Sequence, residues 1–175
     1  MSGPAGGFVD LARLALDHGQ GRRLELDLEP GKIRQGPNEY LPAPGPLPAT
    51  LEISRTSGGW AFHLRFAARL EGTCVRCLEQ ALIEVDVDAR EIEEPASEDE
   101  ELRSPYVDGL DLDVARWARD ALVLAMPAQP VCREDCRGLC PVCGESLNDA
   151  DPAAHVHQKP RDPRWAKLDQ LKLDQ

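Results

Sequence analysis

The sequence predicts an α+β fold: an antiparallel β-sheet with one long helix packed on it, then a cysteine-stapled C-terminal loop and a short last helix. Three observations predict it. Residues 60–70 and 82–90 alternate apolar and polar side chains, the two-residue period of half-buried strands. Val114, Trp117, Ala118, Ala121, Leu122 and Ala125 then recur at helical spacing and make one apolar stripe. Finally, four of the six cysteines fall within the twelve residues 132–143.

In chain order, residues 8–16 place Phe8, Leu11, Ala12 and Ala15 at helical spacing before Gly19, which predicts a short amphipathic helix. Leu24, Leu26 and Leu28 alternate with Glu25 and Asp27 as a strand that stops at Pro30-Gly31. Residues 36–48 hold five prolines, at 37, 42, 44, 46 and 48, and predict an extended surface connection rather than a regular ladder. A strand over 51–55 turns at Ser57-Gly58-Gly59 into the strand 60–70, and alternation resumes at Leu82. His63 falls on the wet face of that strand and has no ligand at short spacing, so it reads as an ordinary exposed histidine rather than a ligand. Cys74-Val75-Arg76-Cys77 falls at the turn between two strands. There a cysteine knuckle can replace an ordinary hairpin turn, with both thiolates on the same side.

Residues 91–101 are dense in acids and interrupted by Pro95, which predicts a solvated, flexible connection. The helix after it is capped by Asp111 or Asp113 and stopped by Pro127, a length of about 14 to 16 residues. Asp162-Pro163 is a start signal for the last helix, whose apolar edge is Trp165, Leu168 and Leu171. The expected organisation is therefore a helix and sheet over 1–93, an acidic linker over 94–110, and helix, loop and final helix over 111–175.

Charge narrows the function. The net charge of −11 is concentrated in residues 84–131, where fourteen acids face four bases. Strong sequence-independent phosphate binding needs the opposite balance, because it comes from Lys and Arg displacing counterions. An acidic segment suits a basic protein partner, or simply solvates the chain. The N-terminus shows no basic region followed by an apolar run, and no stretch approaches the roughly 18 apolar residues of a membrane span, so the expected location is cytoplasmic. In a reducing compartment, closely spaced cysteines are metal ligands or redox groups rather than structural disulfides.

Zinc takes thiolates and neutral imidazoles in a tetrahedron, and a two-residue gap lets two of them converge on one ion. Cys74, Cys77, Cys132, Cys136, Cys140, Cys143, His155 and His157 make eight such ligands, enough for two closed sites. The partition that uses them all joins Cys74 and Cys77 to Cys132 and Cys136, and joins Cys140 and Cys143 to His155 and His157. The rival partition is a single zinc ribbon of Cys74, Cys77, Cys140 and Cys143. Either makes the C-terminal loop zinc-stapled, and a full set of protein ligands points to structural zinc, since a catalytic zinc keeps a position open. A zinc-dependent enzyme or a thiol redox sensor is the alternative. No glycine-rich phosphate loop, nucleophile elbow or His-Glu-x-x-His is present. Arg133, Arg137, Lys159, Arg161, Arg164 and Lys167 cluster around the loop and final helix with Trp165, as RNA contacts or as ordinary solubilising side chains.

Several of these pieces together resemble one bacterial family. They are Cys-x-Arg-Cys-Leu at 74–78, Leu110-Asp111-Leu112, the run from Met126-Pro127 to Cys132, Cys136-Arg-Gly-Leu-Cys-Pro-Val-Cys-Gly ending at Gly144, Leu147-Asn148, and Asp162-Pro163-Arg164-Trp165. In this order they resemble the YceD-like family, the large ribosomal RNA subunit accumulation proteins. Many similar proteins carry Cys-x-Cys where this chain has His155-x-His157, a change that preserves zinc chemistry. The resemblance implies a non-enzymatic role in synthesis, processing or stability of large-subunit ribosomal RNA, with ribosomal RNA or a basic ribosomal protein as partner and no small-molecule substrate.

Overall fold

The computed structural model describes residues 7–151 together with His155 and His157. Its strands are β1 (Phe8–Asp10), β2 (Gly21–Leu28), β3 (Ile33–Gln35), β4 (Asn38–Pro42), β5 (Leu47–Arg55), β6 (Trp60–Thr73), β7 (Gln80–Glu93), β8 (Val107–Asp108) and β9 (Asp111–Asp113), followed by the helix α1 (Val114–Ala125). All pairings are antiparallel. A small sheet runs β1-β9-β8; a larger one runs β2-β5-β6-β4-β3, with β7 on the other edge of β6.

The alternation read from the sequence sets the faces. β6 and β7 pair along their full length, from Trp60 opposite Glu93 to Thr73 opposite Gln80. Phe62, Leu64, Phe66, Ala68 and Leu70 of β6 and Ala81, Ile83, Val85 and Val87 of β7 all enter the core. The opposite face carries exposed pairs such as Arg65–Glu52 at 2.9 Å and Arg69–Glu84 at 2.7 Å, each contributing about 0–1 kcal/mol. His63 lies on that polar face but is half-buried rather than exposed, because Glu52 and Asp88 flank its ring, with Nε2 2.8 Å from Asp88.

The helix α1 starts where expected: Asp113 Oδ1 accepts the Arg116 N–H at 2.9 Å. It is 12 residues long, shorter than expected. Met126 precedes Pro127 and is pushed to extended dihedrals, φ −64° and ψ 142°, because the proline ring disfavours a helical predecessor. Trp117 anchors α1 to the sheet. Its ring meets Phe62 edge-on at 6.3 Å and stacks on Tyr106 at 6.2 Å.

Three expectations are corrected. Residues 8–16 are not a helix: Val9 pairs opposite Leu112, Val9 and Leu11 are buried, and Phe8 is exposed. The Asp10 carboxylate accepts the N–H groups of Ala12 and Arg13 at 2.9 and 3.2 Å, a local bond that competes with helix and leaves only a 3-10 turn. The proline-rich stretch does enter the ladder, since Pro42 pairs opposite Leu70 and Pro48 opposite Asp27. Pro48 is tolerated because β5 meets β6 only from Ala49 onward, leaving one edge unpaired there. Finally, residues 91–93 are strand, not connection. Glu93 is only 6% exposed and accepts the Ser104 N–H at 2.7 Å, and the Glu94 N–H reaches the Leu102 carbonyl at 2.7 Å. The expected last helix, with Trp165, Leu168 and Leu171, lies outside the described residues.

Candidate metal centre

The β6–β7 hairpin is closed by the six residues 74–79, and their backbone bonds make the knuckle. Cys74 donates its N–H to the Glu79 carbonyl at 2.8 Å, and Leu78 donates to the Cys74 carbonyl at 3.1 Å. The chain after α1 comes back to this turn. Val75 donates to the Pro130 carbonyl at 3.0 Å, and the Arg76 guanidinium donates to the Cys136 carbonyl at 3.1 Å and to Gln129 Oε1 at 3.4 Å. Gly138 lies against the same turn with φ 76°, where an added Cβ would stand 3.1 Å from the Arg76 carbonyl oxygen.

These ties gather four sulfurs. Cys74 and Cys136 are 3.8 Å apart, Cys77 and Cys132 are 3.5 Å apart, and all four lie within 4.8 Å of one another. A disulfide would require about 2.05 Å. A tetrahedron with metal–sulfur bonds of about 2.3 Å has edges of about 3.8 Å, so the set has the dimensions of a four-thiolate metal site. Cys74, Cys77 and Cys136 are buried and Cys132 is half-buried. At Cys74, burial opposes ionisation, but hydrogen bonds from the backbone at Cys77, Arg76 and Cys132 outweigh it and bring the thiol down to about 6. At Cys132, burial and then the neighbouring Cys77 and Cys136 sulfurs push the thiol up to about 12. The first therefore offers a thiolate readily, while the last ionises only with a cation beside it.

A second knuckle repeats the first. Leu139 pairs with Ser146 as Thr73 pairs with Gln80; Cys140 donates to the Glu145 carbonyl at 2.8 Å and Gly144 to the Cys140 carbonyl at 2.9 Å. Backbone hydrogen bonds from Cys143 and Val142 lower the Cys140 thiol. Cys143 is raised: a Glu145 backbone hydrogen bond favours its thiolate, and burial with the Cys140 sulfur outweighs that bond.

Here the structure brings Cys140, Cys143 and His157 within 4.8 Å of one another, and Cys143, Glu145 and His155 form an overlapping set. His155 and His157 stack edge-to-face at 5.8 Å. The Glu145 carboxylate is 3.0 Å from His155 Nε2 but outside hydrogen-bonding geometry, so both buried ring nitrogens of His155 have no hydrogen-bond partner among the described residues. The rival set of Cys74, Cys77, Cys140 and Cys143 is not brought together.

Sequence reasoning missed Glu145 and the anchoring role of Arg76. A signal for the first was present: Cys-x2-Cys-x-Glu occurs twice, at 74–79 and at 140–145, and each carboxylate approaches the second sulfur, at 3.8 Å for Glu79 and 3.9 Å for Glu145. Of the expected RNA contacts, Arg133 lies 3.3 Å from Asp135 and 3.8 Å from Asp149. Arg137 binds Asn148 through both its backbone N–H and its guanidinium. Lys159, Arg161, Arg164 and Lys167 lie outside the described residues. No helix among the described residues is long and apolar enough to cross a membrane.

Uncharacterized proteins of Mycobacterium tuberculosis and Mycobacterium bovis are each 38% identical over 130 residues, covering 70% of this chain and 60% of the relative. An uncharacterized protein of Mycobacterium leprae is 36% identical over 101 residues, 54% of this chain and 45% of its own length. The chain thus spans about 60% of the length of the first two relatives. No solved structure matches it. The family model described as "Large ribosomal RNA subunit accumulation protein YceD" matches residues 62–172, from β6 through both cysteine clusters, and the chain belongs to that family.

Proposed function

We propose that this chain acts without catalysis in the synthesis, processing or stability of large-subunit ribosomal RNA, and so in ribosome biogenesis, with structural zinc at two sites. The first site is Cys74, Cys77, Cys132 and Cys136; the second is Cys140, Cys143, His157 and His155. The observation that carries this reading is the four-sulfur cluster, whose atoms lie within 4.8 Å of one another; with zinc bound it would supply all four ligands from protein and leave no position for water or substrate. Zinc there would hold the loop after α1 to the β6–β7 turn, a bond set worth about 10 to 16 kcal/mol in small zinc domains. Each Cys-x2-Cys pair would supply two ligands, and each site would close one segment of chain. The partner in this role is ribosomal RNA or a basic ribosomal protein, met in the cytoplasm.

Depletion of the protein, followed by quantification of large- against small-subunit ribosomal RNA, tests the biological role. A selective fall in large-subunit RNA, not restored by a Cys74→Ser/Cys136→Ser variant, is expected; unchanged RNA overturns it. Metal analysis of the purified chain tests the chemistry, with two zinc ions expected. One zinc, lost with Cys74→Ser, reduces the reading to the four-cysteine site.

A further inference from the structure

The edge strand β7 is paired on one side only. β6 takes that side along its full length, and among the described residues no strand takes the other. Beside the free edge, between residues 86–91 and the end of α1, runs an open groove of about 510 Å³. Ala89, Leu124 and Ala125 make its accessible apolar wall, over the buried Val87, Trp117 and Ala121. Leu124 is 84% exposed, an aliphatic side chain held out at the groove by the helix. Six residues of extended chain, about 20 Å, match the length of strand that borders it.

The rim is mainly acidic. Asp86, Asp88 and Glu91 border the groove against the single cation Arg90, and Arg90 itself lies 3.9 Å from Asp88. Glu91 has the core-facing parity of β7, so its carboxyl is half-buried at the groove. It has no ion-pair partner among the described residues, and burial raises it above the ordinary carboxylate range although a Ser104 hydrogen bond opposes this. Free strand edges recruit other strands unless covered or charged. A carboxylate rim on a chain of net charge −11 repels a second copy of itself and attracts a cationic strand.

We propose that this groove docks an extended, Lys- and Arg-rich segment of a partner protein, which adds as a strand to the free edge of β7 and lays alternate apolar side chains on Ala89, Leu124 and Ala125. Main-chain bonds to the edge would supply affinity, and the rim and wall would select the side chains. This site is separate from the cysteine clusters and does not depend on the RNA role.

The test uses the full metal-loaded chain and a fluorescent eight-residue peptide of alternating Lys and Val, with an alternating Glu and Val peptide as control. Expected are binding of the basic peptide at least about tenfold tighter than the control, weakening with salt, and slowed amide exchange in β7. Asp86→Lys and Leu124→Lys change exposed positions and leave the core untouched. Combined, they are expected to weaken binding about tenfold with an unchanged circular dichroism spectrum. Absence of binding, equal binding of the acidic peptide, protection away from β7, a crosslink from the groove to residues 158–175 of the same chain, or closure of the groove by self-association would each overturn the proposal.

Discussion

Leu78 and Gly144 hold the same place in two knuckles. Each follows the second cysteine, each has a left-handed backbone, with φ 62° and 76°, and each donates its N–H to the carbonyl of the first cysteine, at 3.1 and 2.9 Å. The turn needs that conformation badly enough to impose it on a leucine. A Cβ in the left-handed region costs roughly 1–2 kcal/mol, and nothing stands within 4 Å of one added at Gly144. Gly144→Ala is therefore expected to lower loop stability by about 1 kcal/mol while metal content is kept. Gly138→Ala has the same backbone penalty and also meets the Arg76 carbonyl oxygen at 3.1 Å, so it should cost more, about 2 kcal/mol or above, and loosen metal at the four-sulfur site. Thermal melts and metal titrations of the two variants check the order. Equal losses would mean that the Gly138–Arg76 approach contributes nothing.

Metal removal should act on one part of the chain before another. The β5–β6–β7 core is closed by apolar packing of residues such as Leu51, Leu64 and Ile83, whereas the loop after Pro130 depends on its ties to the knuckle. Chelation is expected to speed amide exchange over residues 131–148 strongly and over β5–β7 little. Mass-resolved hydrogen exchange with and without chelator reads this directly. Uniform acceleration across the sheet would show that metal binding and global folding are one event.

Period-two alternation made β6 and β7 legible because one face is mainly apolar and buried while the other is mainly charged or polar. The helix start was legible as Asp111 or Asp113, and the bond to the Arg116 N–H decides for Asp113. The first residues misled because Phe8, Leu11, Ala12 and Ala15 mimic helical spacing, while the pairing partner that makes β1 a strand, β9, lies a hundred residues away. Likewise, Glu91 and Glu93 sit in a run of acids that reads as solvent-facing. Only the continued β6–β7 register, with Glu93 opposite Trp60, shows that the strand carries them inward. At the candidate metal centre, residue type and spacing singled out the cysteines that come together, but the grouping of Cys132 and Cys136 with the first knuckle is set by the return of the chain to Pro130 and Val75. No local pattern encodes that.

The Asp113 side chain caps α1 by accepting the Arg116 N–H at 2.9 Å. Asp113→Ala leaves that donor without its partner and should cost about 1 kcal/mol, with Asp113→Asn or Asp113→Ser recovering most of it. Because α1 carries Trp117 into the core, the loss should appear in the global melt and not merely as fraying of one helix end. Chemical denaturation of the three variants measures it. A melt unchanged by Asp113→Ala would show that Trp117 packing alone fixes the start of α1.

Glu91 supplies a prediction in pH. Its native carboxyl is raised above the ordinary 4.5, chiefly by burial. The native chain therefore holds this proton to higher pH than the unfolded chain does. Below 4.5 both states are protonated and the group contributes no penalty. As pH rises from there through the native value, the native state must ionise a half-buried carboxyl, so stability falls across that window and stays lower above it. Glu91→Gln removes this titration. The variant should match the wild type at the acid end of the window and exceed it at neutral pH, which denaturant melts at pH 4 to 8 would read. A stability difference that is constant with pH would show that burial of Glu91 carries no electrostatic penalty, and the half-buried carboxyl beside the β7 groove would then gain nothing from a cation.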